Sequence, residues 1–314
     1  MIKVINPGSY EVKLDDVGEG ELEAVAFRVV HGGKFTEPAV VDDEIKAEIK
    51  KFSPLAPLHN PLVLKAFADW TIKEPNMPKV AVFDSEFFRD LPEETKFYPL
   101  PIKLQRDLGI RRYGFHGISH EAAMRQAAEL LGKPANECNL ITLHLGQGCS
   151  AAAIKNGKPV DTSMGFSPLE GLMMGTRTGD IDPGIILHLI ELGEKVDDVR
   201  ELISRQGGWY GVSGHNDFRE ILESGEENCK LAFKMFVSRV KKYIGAYVYE
   251  LGGRVDAIVF TGAIGAGSEV TRAAILDGLP LPSGCQILHF PADESGLIAE
   301  KARSALFLAN RGGI

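Results

Sequence analysis

Apolar positions along the 314-residue chain fall into two patterns: short unbroken runs ended by glycine or proline, and longer stretches with helical spacing. MIKVIN is a short apolar strand broken by Pro7-Gly8, and the polar stretch KLDDVGEGELEA after it has little to bury. AVAFRVVHGG predicts a buried strand ending in a glycine pair, LAPLHNP a loop, and LVLKAFADWTIK a helix. VAVF (80–83) is another buried strand, followed at once by Asp84. EAAMRQAAELLG predicts a helix. NLITLHLGQG and CSAAAIKNGK predict two strands joined by a glycine turn. PGIILHLIELG and LAFKMFVSRVKKYIGAYVYELG are amphipathic helices, and VDAIVFTGAIGAGSEVTRAAILDG reads as strand, glycine-rich loop and helix. CQILHF is a late strand and SGLIAEKARSALFLAN a terminal helix. Strands alternate with helices, which predicts an α/β protein.

One long segment, DTSMGFSPLEGLMMGTRTGDIDPG, fits neither pattern. Loops of that length are usually functional or disordered, and Met and Leu at intervals predict that this one is ordered. There is no tandem repeat. Apolar strands run into Gly/Ser turns at VINPGS and HLGQGCS, a hint of two related halves with a ligand cleft between them.

Composition narrows the class. The net charge is −8 with both signs interspersed, which argues against a nucleic-acid surface. No apolar run approaches a membrane span and the N-terminus does not resemble a signal peptide, so a cytoplasmic protein is expected. Cys138, Cys149, Cys229 and Cys285 are scattered without a CxxC pair and read as reduced thiols rather than zinc ligands or disulfides.

Several stretches carry possible chemistry. RRYGFHGISH (111–120) puts His116 and His120 on the entry turn of a helix, where backbone N–H groups attract anions; an ordinary turn with one packed histidine fits equally. TGAIGAGS after a strand is a phosphate-approach loop or a tight turn, and matches neither a P-loop nor a dinucleotide fingerprint. HLGQGCS has two glycines where a hairpin needs one, which suits a phosphate grip by backbone N–H groups. Arg177 among small residues can reach a phosphate or carboxylate with its fork, or pair at the surface with Asp180 or Asp182. Asp84 at a strand end is a site residue or a helix cap.

Taken in order, INPGS…K, RVVHGG, APLHNP, VAVFD, RRYGFHGISH, HLGQG, DTSMGFSPLEGLMMGTRTGDIDP and FTGAIG make the chain resemble the acetate kinases. The resemblance implies two RNase-H-like α/β domains, as in actin, Hsp70 and sugar kinases, with a nucleotide cleft between them and the first domain reduced. The expected division is residues 1–88 with 296–314, and residues 89–295. It implies phosphoryl transfer from ATP to a short carboxylate, Mg²⁺, and a homodimer, with neither nucleic acid nor membrane as partner. Carried over by position, Ser9 and Lys13 lie near the phosphates, and Asn6 and Glu294 near the metal. Arg28 and Arg177 hold the acid and the transferring phosphoryl group. Asp84 is linked to metal and substrate, and His116 stabilises the transition state. Val30, Leu58 and Phe115 line the pocket for the acid's alkyl group. His144, Gln147 and Gly148 form the phosphate hairpin. Asp217, Phe218 and Arg219 contact the adenosine, with Ala263, Ile264, Gly265 and Gly267 on the second glycine-rich loop.

The chain departs from the family pattern. It is shorter, with deletions between Lys13 and Arg28 and before Glu294, so the first sheet should be reduced and its edge covered in another way. Glu11 replaces a hydroxyl residue, Gln147 an asparagine, Ile118 a hydroxyl residue, and Gly267 an asparagine; Ala263 replaces a glycine, and Glu86 and Phe88 stand in FDSEFF. Two readings follow: an active short-chain acyl kinase, or a degenerate paralogue that binds a ligand or partner without catalysis.

Overall fold

The structure, a computed structural model, describes residues 1–7 and 12–311. The first elements are β1 (Ile2–Pro7), β2 (Val12–Val17), β3 (Ala24–Val29), β4 (Ala39–Val40), α1 (Asp43–Phe52), α2 (Asn60–Lys73) and β5 (Lys79–Phe83). Then come α3 (Glu93–Lys96), α4 (Ile102–Leu108), α5 (Gly117–Leu131), β6 (Leu140–Leu145), β7 (Cys149–Lys155) and β8 (Lys158–Thr162). The remainder is mostly helical: α6 (Pro183–Glu191), α7 (Val196–Arg205), α8 (Gly208–Ser213), α9 (Phe218–Glu223) and α10 (Glu227–Glu250), then β9 (Ala257–Thr261), α11 (Gly262–Gly267), α12 (Glu269–Leu276), β10 (Gln286–His289) and α13 (Glu294–Arg311). The chain divides into two compact units: Met1–Asp90 with Tyr113–Ala122 and Asp293–Ile314, and Leu91–Arg112 with Ala123–Ala292.

In the first unit the sheet order is β2-β1-β3-β5-β4. β1, β3 and β5 run parallel and are buried on both faces, which is why their sequences are almost continuously apolar. Val25, Phe27 and Val29 turn one face toward α1 and α2, where Ile45, Ile49, Val63 and Phe67 close the core. Asp42 caps α1 by accepting from the Ile45 N–H at 2.8 Å. α13 packs across β1, β3 and β5 with Leu297, Ile298, Ala299 and Ala302 buried. The polar stretch with little to bury begins within β2, an exposed strand paired antiparallel to β1. The expected cover over this edge is replaced by charge: Lys13, Asp15 and Asp16 stand exposed along β2 and oppose pairing with another strand.

The second unit has the sheet order β10-β9-β6-β7-β8. β6 and β7 form the expected antiparallel hairpin, with Leu140 opposite Ile154 and Leu145 opposite Cys149. β8, which the pattern did not single out, joins through Asn156-Gly157, both at positive φ (50° and 71°), as a tight hairpin turn between right-twisted strands requires. α10 buries Cys229, Ala232, Phe236, Val240, Ile244 and Tyr247 at three- to four-residue spacing against its neighbours. The long segment 163–182 has no helix or strand but is ordered by burial of Met164, Leu172, Met173 and Met174.

Candidate active site

Parallel strands place their carboxyl ends side by side, and three polar side chains emerge there in the first unit. Asn6 and Arg28 each follow the last positions at which β1 and β3 pair with one another, Ile5 and Phe27. They face α13, because the alternate positions Phe27 and Val29 fill the opposite core. Asp84 follows β5 directly, tied to β3 by its N–H donating to the Val29 carbonyl at 2.9 Å. The three side chains meet. Arg28 donates from Nε to both Asp84 carboxylate oxygens at 3.1 Å and from Nη2 to Oδ2 at 2.6 Å. Its Nη1 donates to the Asn6 amide oxygen at 3.1 Å, and the Asn6 amide donates to Glu294 Oε2 at 3.2 Å. Glu294 is the first residue of α13, so the terminal helix closes the group.

His116 completes it. Its N–H donates to the Asp84 carboxylate, and the Gly117 N–H donates to the Asp84 carbonyl at 3.1 Å. A Cβ at position 117 would overlap that carbonyl oxygen, so only glycine lets the two segments approach this closely. His116 itself has φ of 56°, and Asn156 in its hairpin turn is the other described non-glycine residue at positive φ. A histidine held in the left-handed region costs about 1–2 kcal/mol, and such strain gathers at functional sites. The turn is fixed from behind: Tyr113 and Phe115 are buried, with ring centroids 4.5 and 5.4 Å from buried His31.

Burial pushes the Asp84 carboxyl up from its ordinary pKa; Arg28 pulls it back and Glu294 pushes it further up. Burial works against the Arg28 charge, yet Asp84 and Glu294 raise its pKa overall. The donors Asn6, Asp84 and Glu294 are all oxygen ligands within one hydrogen-bond network. That set suits Mg²⁺, a hard cation that takes one or two carboxylates and keeps several waters.

Val30, buried, continues from β3 into the same region, and Phe115 lies next to His31, the residue that follows Val30. Leu58 is half-buried on the loop between α1 and α2. Lys13 sits on the exposed edge strand opposite Asn6 in the β1–β2 register. Ser9 and Glu11 lie outside the described residues.

The remaining predicted residues belong to the second unit. Arg177 is 4% exposed and donates from Nη1 to the Pro168 carbonyl at 2.8 Å. That burial does not fit a pair at the surface; Asp180 accepts from the Gly171 N–H and from Tyr243, and Asp182 caps α6. His144 is the half-buried penultimate residue of β6. In the turn after it, the Gly146 N–H donates to the Gly148 carbonyl at 3.1 Å and Gln147 Nε2 donates to the Asn216 carbonyl at 3.1 Å. Buried Trp209 donates to that same Asn216 carbonyl at 3.2 Å, so the 213–219 segment is tied to the β6–β7 turn. Asp217 caps α9, accepting from the Arg219 N–H at 2.9 Å, and takes the Arg219 fork at 2.7 Å. Phe218 is buried among Trp209 and Phe236. The expected glycine-rich loop carrying Ala263, Ile264, Gly265 and Gly267 is instead wound into α11. Gly262, at φ 74°, makes the sharp exit from β9 where a Cβ would strike the Leu145 carbonyl, and the helix starts there.

One group escaped the sequence reading. Lys301 on α13 is shared by Glu86 and Glu121, at 2.8 Å from each, and all three side chains are at least 85% buried. The signal was Glu86, which departs from the family pattern two residues after Asp84; its counter-charge is distant in sequence.

The Acetokinase family profile matches residues 11–295. An acetate kinase of Streptomyces avermitilis is 45% identical over 291 residues, 91% of this chain and 68% of that protein. One from Corynebacterium jeikeium is 49% identical over 269 residues, 83% of this chain and 66% of that protein. The chain thus spans about two thirds of the length of these curated relatives. Among solved structures, the acetate kinase of Porphyromonas gingivalis superposes with a TM-score of 0.82 at 39% identity, covering 91% of this chain and 79% of that one. A propionate kinase from Francisella tularensis superposes with a TM-score of 0.87 at 30% identity, covering 96% and 99%.

Proposed function

The chain belongs to the Acetokinase family, and on that premise we propose that it transfers the γ-phosphoryl group of ATP to the carboxylate of acetate or another short-chain acid. The observation that carries this reading is the joined set of Arg28, Asp84, Asn6, Glu294 and His116 at the carboxyl ends of three parallel strands. A carboxylate oxygen of the acid attacks the γ-phosphorus, the new O–P bond forms, and the bond to the β,γ-bridging oxygen breaks with its electron pair leaving on ADP. Such transfer asks the protein for positioning and for positive charge around the equatorial oxygens. Arg28, already oriented by Asp84, offers the fork for the acid and the phosphoryl oxygens. His116 offers its imidazole from a backbone fixed by Asp84 and Gly117. Arg177 supplies a second guanidinium for the phosphoryl group, and the β6–β7 turn with α11 supplies backbone N–H groups for the remaining phosphates. Mg²⁺ supplies charge neutralisation of the phosphates, and Asn6, Asp84 and Glu294 are the residues to hold it.

Val30, Leu58 and Phe115 line the side of the site that takes the alkyl group. The propionate kinase among the relatives puts propionate beside acetate as a candidate acid. The homodimer expected of the family has support in α6. Ile185, Leu187 and Ile190 are 38–61% exposed there, and none of its residues is buried. No helix among the described residues is long and apolar enough to cross a membrane.

The second reading, a relative that binds without turnover, is favoured by one observation: Asp217 and Arg219 are engaged with each other and Phe218 is buried, so the adenosine contacts are spoken for. Incubation with MgATP and acetate, propionate or butyrate, beside calorimetric titration with MgATP, separates the two. Acyl phosphate formed from any of the acids fits the kinase reading; ligand binding without turnover favours the second; absence of both turnover and MgATP binding overturns the nucleotide reading.

A further inference from the structure

Cys229 read as a reduced thiol rather than a zinc ligand in the sequence, but the fold brings it to His215 and Glu226, and we propose that these three residues form a zinc site. Their ligating atoms, one imidazole nitrogen, one carboxylate oxygen and one thiol sulfur, all lie within 4.8 Å of one another. His215 Nε2 is 3.9 Å from Glu226 Oε2. Around a tetrahedral zinc, with ligand distances of about 2.0–2.3 Å, such atoms sit about 3.5 Å apart, so closure needs only a small inward movement of the half-exposed His215 and exposed Glu226 side chains toward buried Cys229.

The surroundings are built for ligation. Glu226 is the N-cap residue of α10 and Cys229 lies in the helix's first turn, which sets the two side chains at the same end of the helix. His215 follows Gly214, whose φ of 80° ends α8, and its N–H donates to Ser213 Oγ at 3.1 Å. The other ring nitrogen, Nδ1, lies 3.0 Å from Glu220 Oε2. A carboxylate on one imidazole nitrogen fixes the tautomer that presents the other to a metal, the arrangement found behind histidine ligands of zinc. Cys229 closes the inner side, while half-exposed His215 and exposed Glu226 leave a mouth through which an ion enters and where a water completes the fourth position. The mixed nitrogen, sulfur and oxygen set favours zinc over Mg²⁺, which prefers oxygen alone. No short zinc motif spaces its ligands this way, so sequence alone gives no signal.

The site goes beyond phosphoryl transfer. It would clamp the turn before α9 to α10, and that turn contains Asn216, whose carbonyl holds Gln147 and Trp209. Because binding requires a neutral imidazole and a thiolate, it releases protons and weakens as pH falls.

Cobalt reports the ligand set without any assay of activity. The full-length protein, stripped with a chelator, is titrated with Co²⁺ and then with Zn²⁺. Expected are one equivalent bound, a near-ultraviolet thiolate-to-cobalt band, visible bands of tetrahedral intensity, and displacement of both by zinc. Cys229→Ser should abolish the thiolate band. His215→Ala should weaken zinc binding at least tenfold, and Glu220→Gln, at an exposed position, by about 10–100-fold. Absence of the thiolate band in the parent protein overturns the proposal, as does a band that persists in Cys229→Ser. Unchanged affinity in a His215→Ala protein that melts like the parent also overturns it.

Discussion

Arg28 holds Asp84 in a two-sided grip, with Nε on both carboxylate oxygens and Nη2 on Oδ2 at 2.6 Å, while Asp84 is essentially sealed from solvent. Two consequences can be separated. Breaking a buried pair by removing one partner leaves an uncompensated charge and costs about 3–5 kcal/mol, whereas replacing both by apolar residues of similar volume can be neutral. Asp84→Ala should therefore unfold at a markedly lower denaturant midpoint, and Arg28→Met/Asp84→Leu should recover much of the loss while remaining inactive. Chemical denaturation monitored by circular dichroism checks this; a double variant no more stable than Asp84→Ala would show that the pair does not behave as a buried ion pair.

The left-handed backbone of His116 gives a second expectation. Glycine accepts φ of 56° without steric strain, so His116→Gly should be about 1 kcal/mol more stable than His116→Ala. Both should lose kcat by about 10²–10³-fold if the imidazole stabilises transferring charge. Stability and kcat move independently in this pair, which ordinary loss of packing would not produce.

How much of this was legible beforehand follows from how each signal is encoded. Asp84 could be placed at a strand end because its strand is an unbroken apolar run, and parallel strands align their carboxyl ends, whereas Asn6 and Arg28 entered only through the family resemblance. The β6–β7 hairpin followed from its glycine turn. The strained His116 did not, because φ depends on Gly114, Gly117 and the Asp84 carbonyl together. α11 was hidden because GAIGAG has the composition of a loop, and its winding depends on a single sharp turn at Gly262. β2 was hidden because an exposed edge strand needs no apolar alternation. Lys301, Glu86 and Glu121 are far apart in the chain, and a shared buried charge leaves no local pattern.

Asp161 gives a pH signature. Burial is the main cause that raises its carboxyl to about 6, with Arg112 and the Thr162 N–H opposing and Glu250 and Glu170 adding to the rise. In the unfolded chain it releases its proton near about 4. Between those values the folded protein binds more protons, so this residue lowers stability as pH rises from about 4 to about 6. Asp161→Asn should remove that slope. It should match the parent near pH 4 and exceed it by up to about 3 kcal/mol at pH 7, read from denaturation midpoints across the range.

The apolar face of α6 predicts assembly. Leu187→Glu with Ile190→Lys should convert a dimer to a monomer by light scattering, with little change in the circular dichroism spectrum, since neither side chain is buried within the chain. A parent protein that is already monomeric at micromolar concentration would remove the basis for this assignment.

Metal dependence should trace to the site acid at the head of α13. Chelation should abolish turnover, Mg²⁺ should restore it, and Glu294→Gln should raise the Mg²⁺ concentration needed for half-maximal rate by about 10–100-fold. An unchanged requirement would assign the metal to other ligands.

Turnover itself tests the central claim most directly. The purified chain is given MgATP and acetate, propionate or butyrate in separate reactions, with hydroxylamine present to trap acyl phosphate as the hydroxamate and with folded Arg28→Lys alongside. The account predicts hydroxamate and stoichiometric ADP from the parent with at least one acid, and a rate at least about 100-fold lower from Arg28→Lys, whose single ammonium cannot reproduce the fork. Equal rates from the two proteins, or no hydroxamate from the parent with any of the acids, would contradict it.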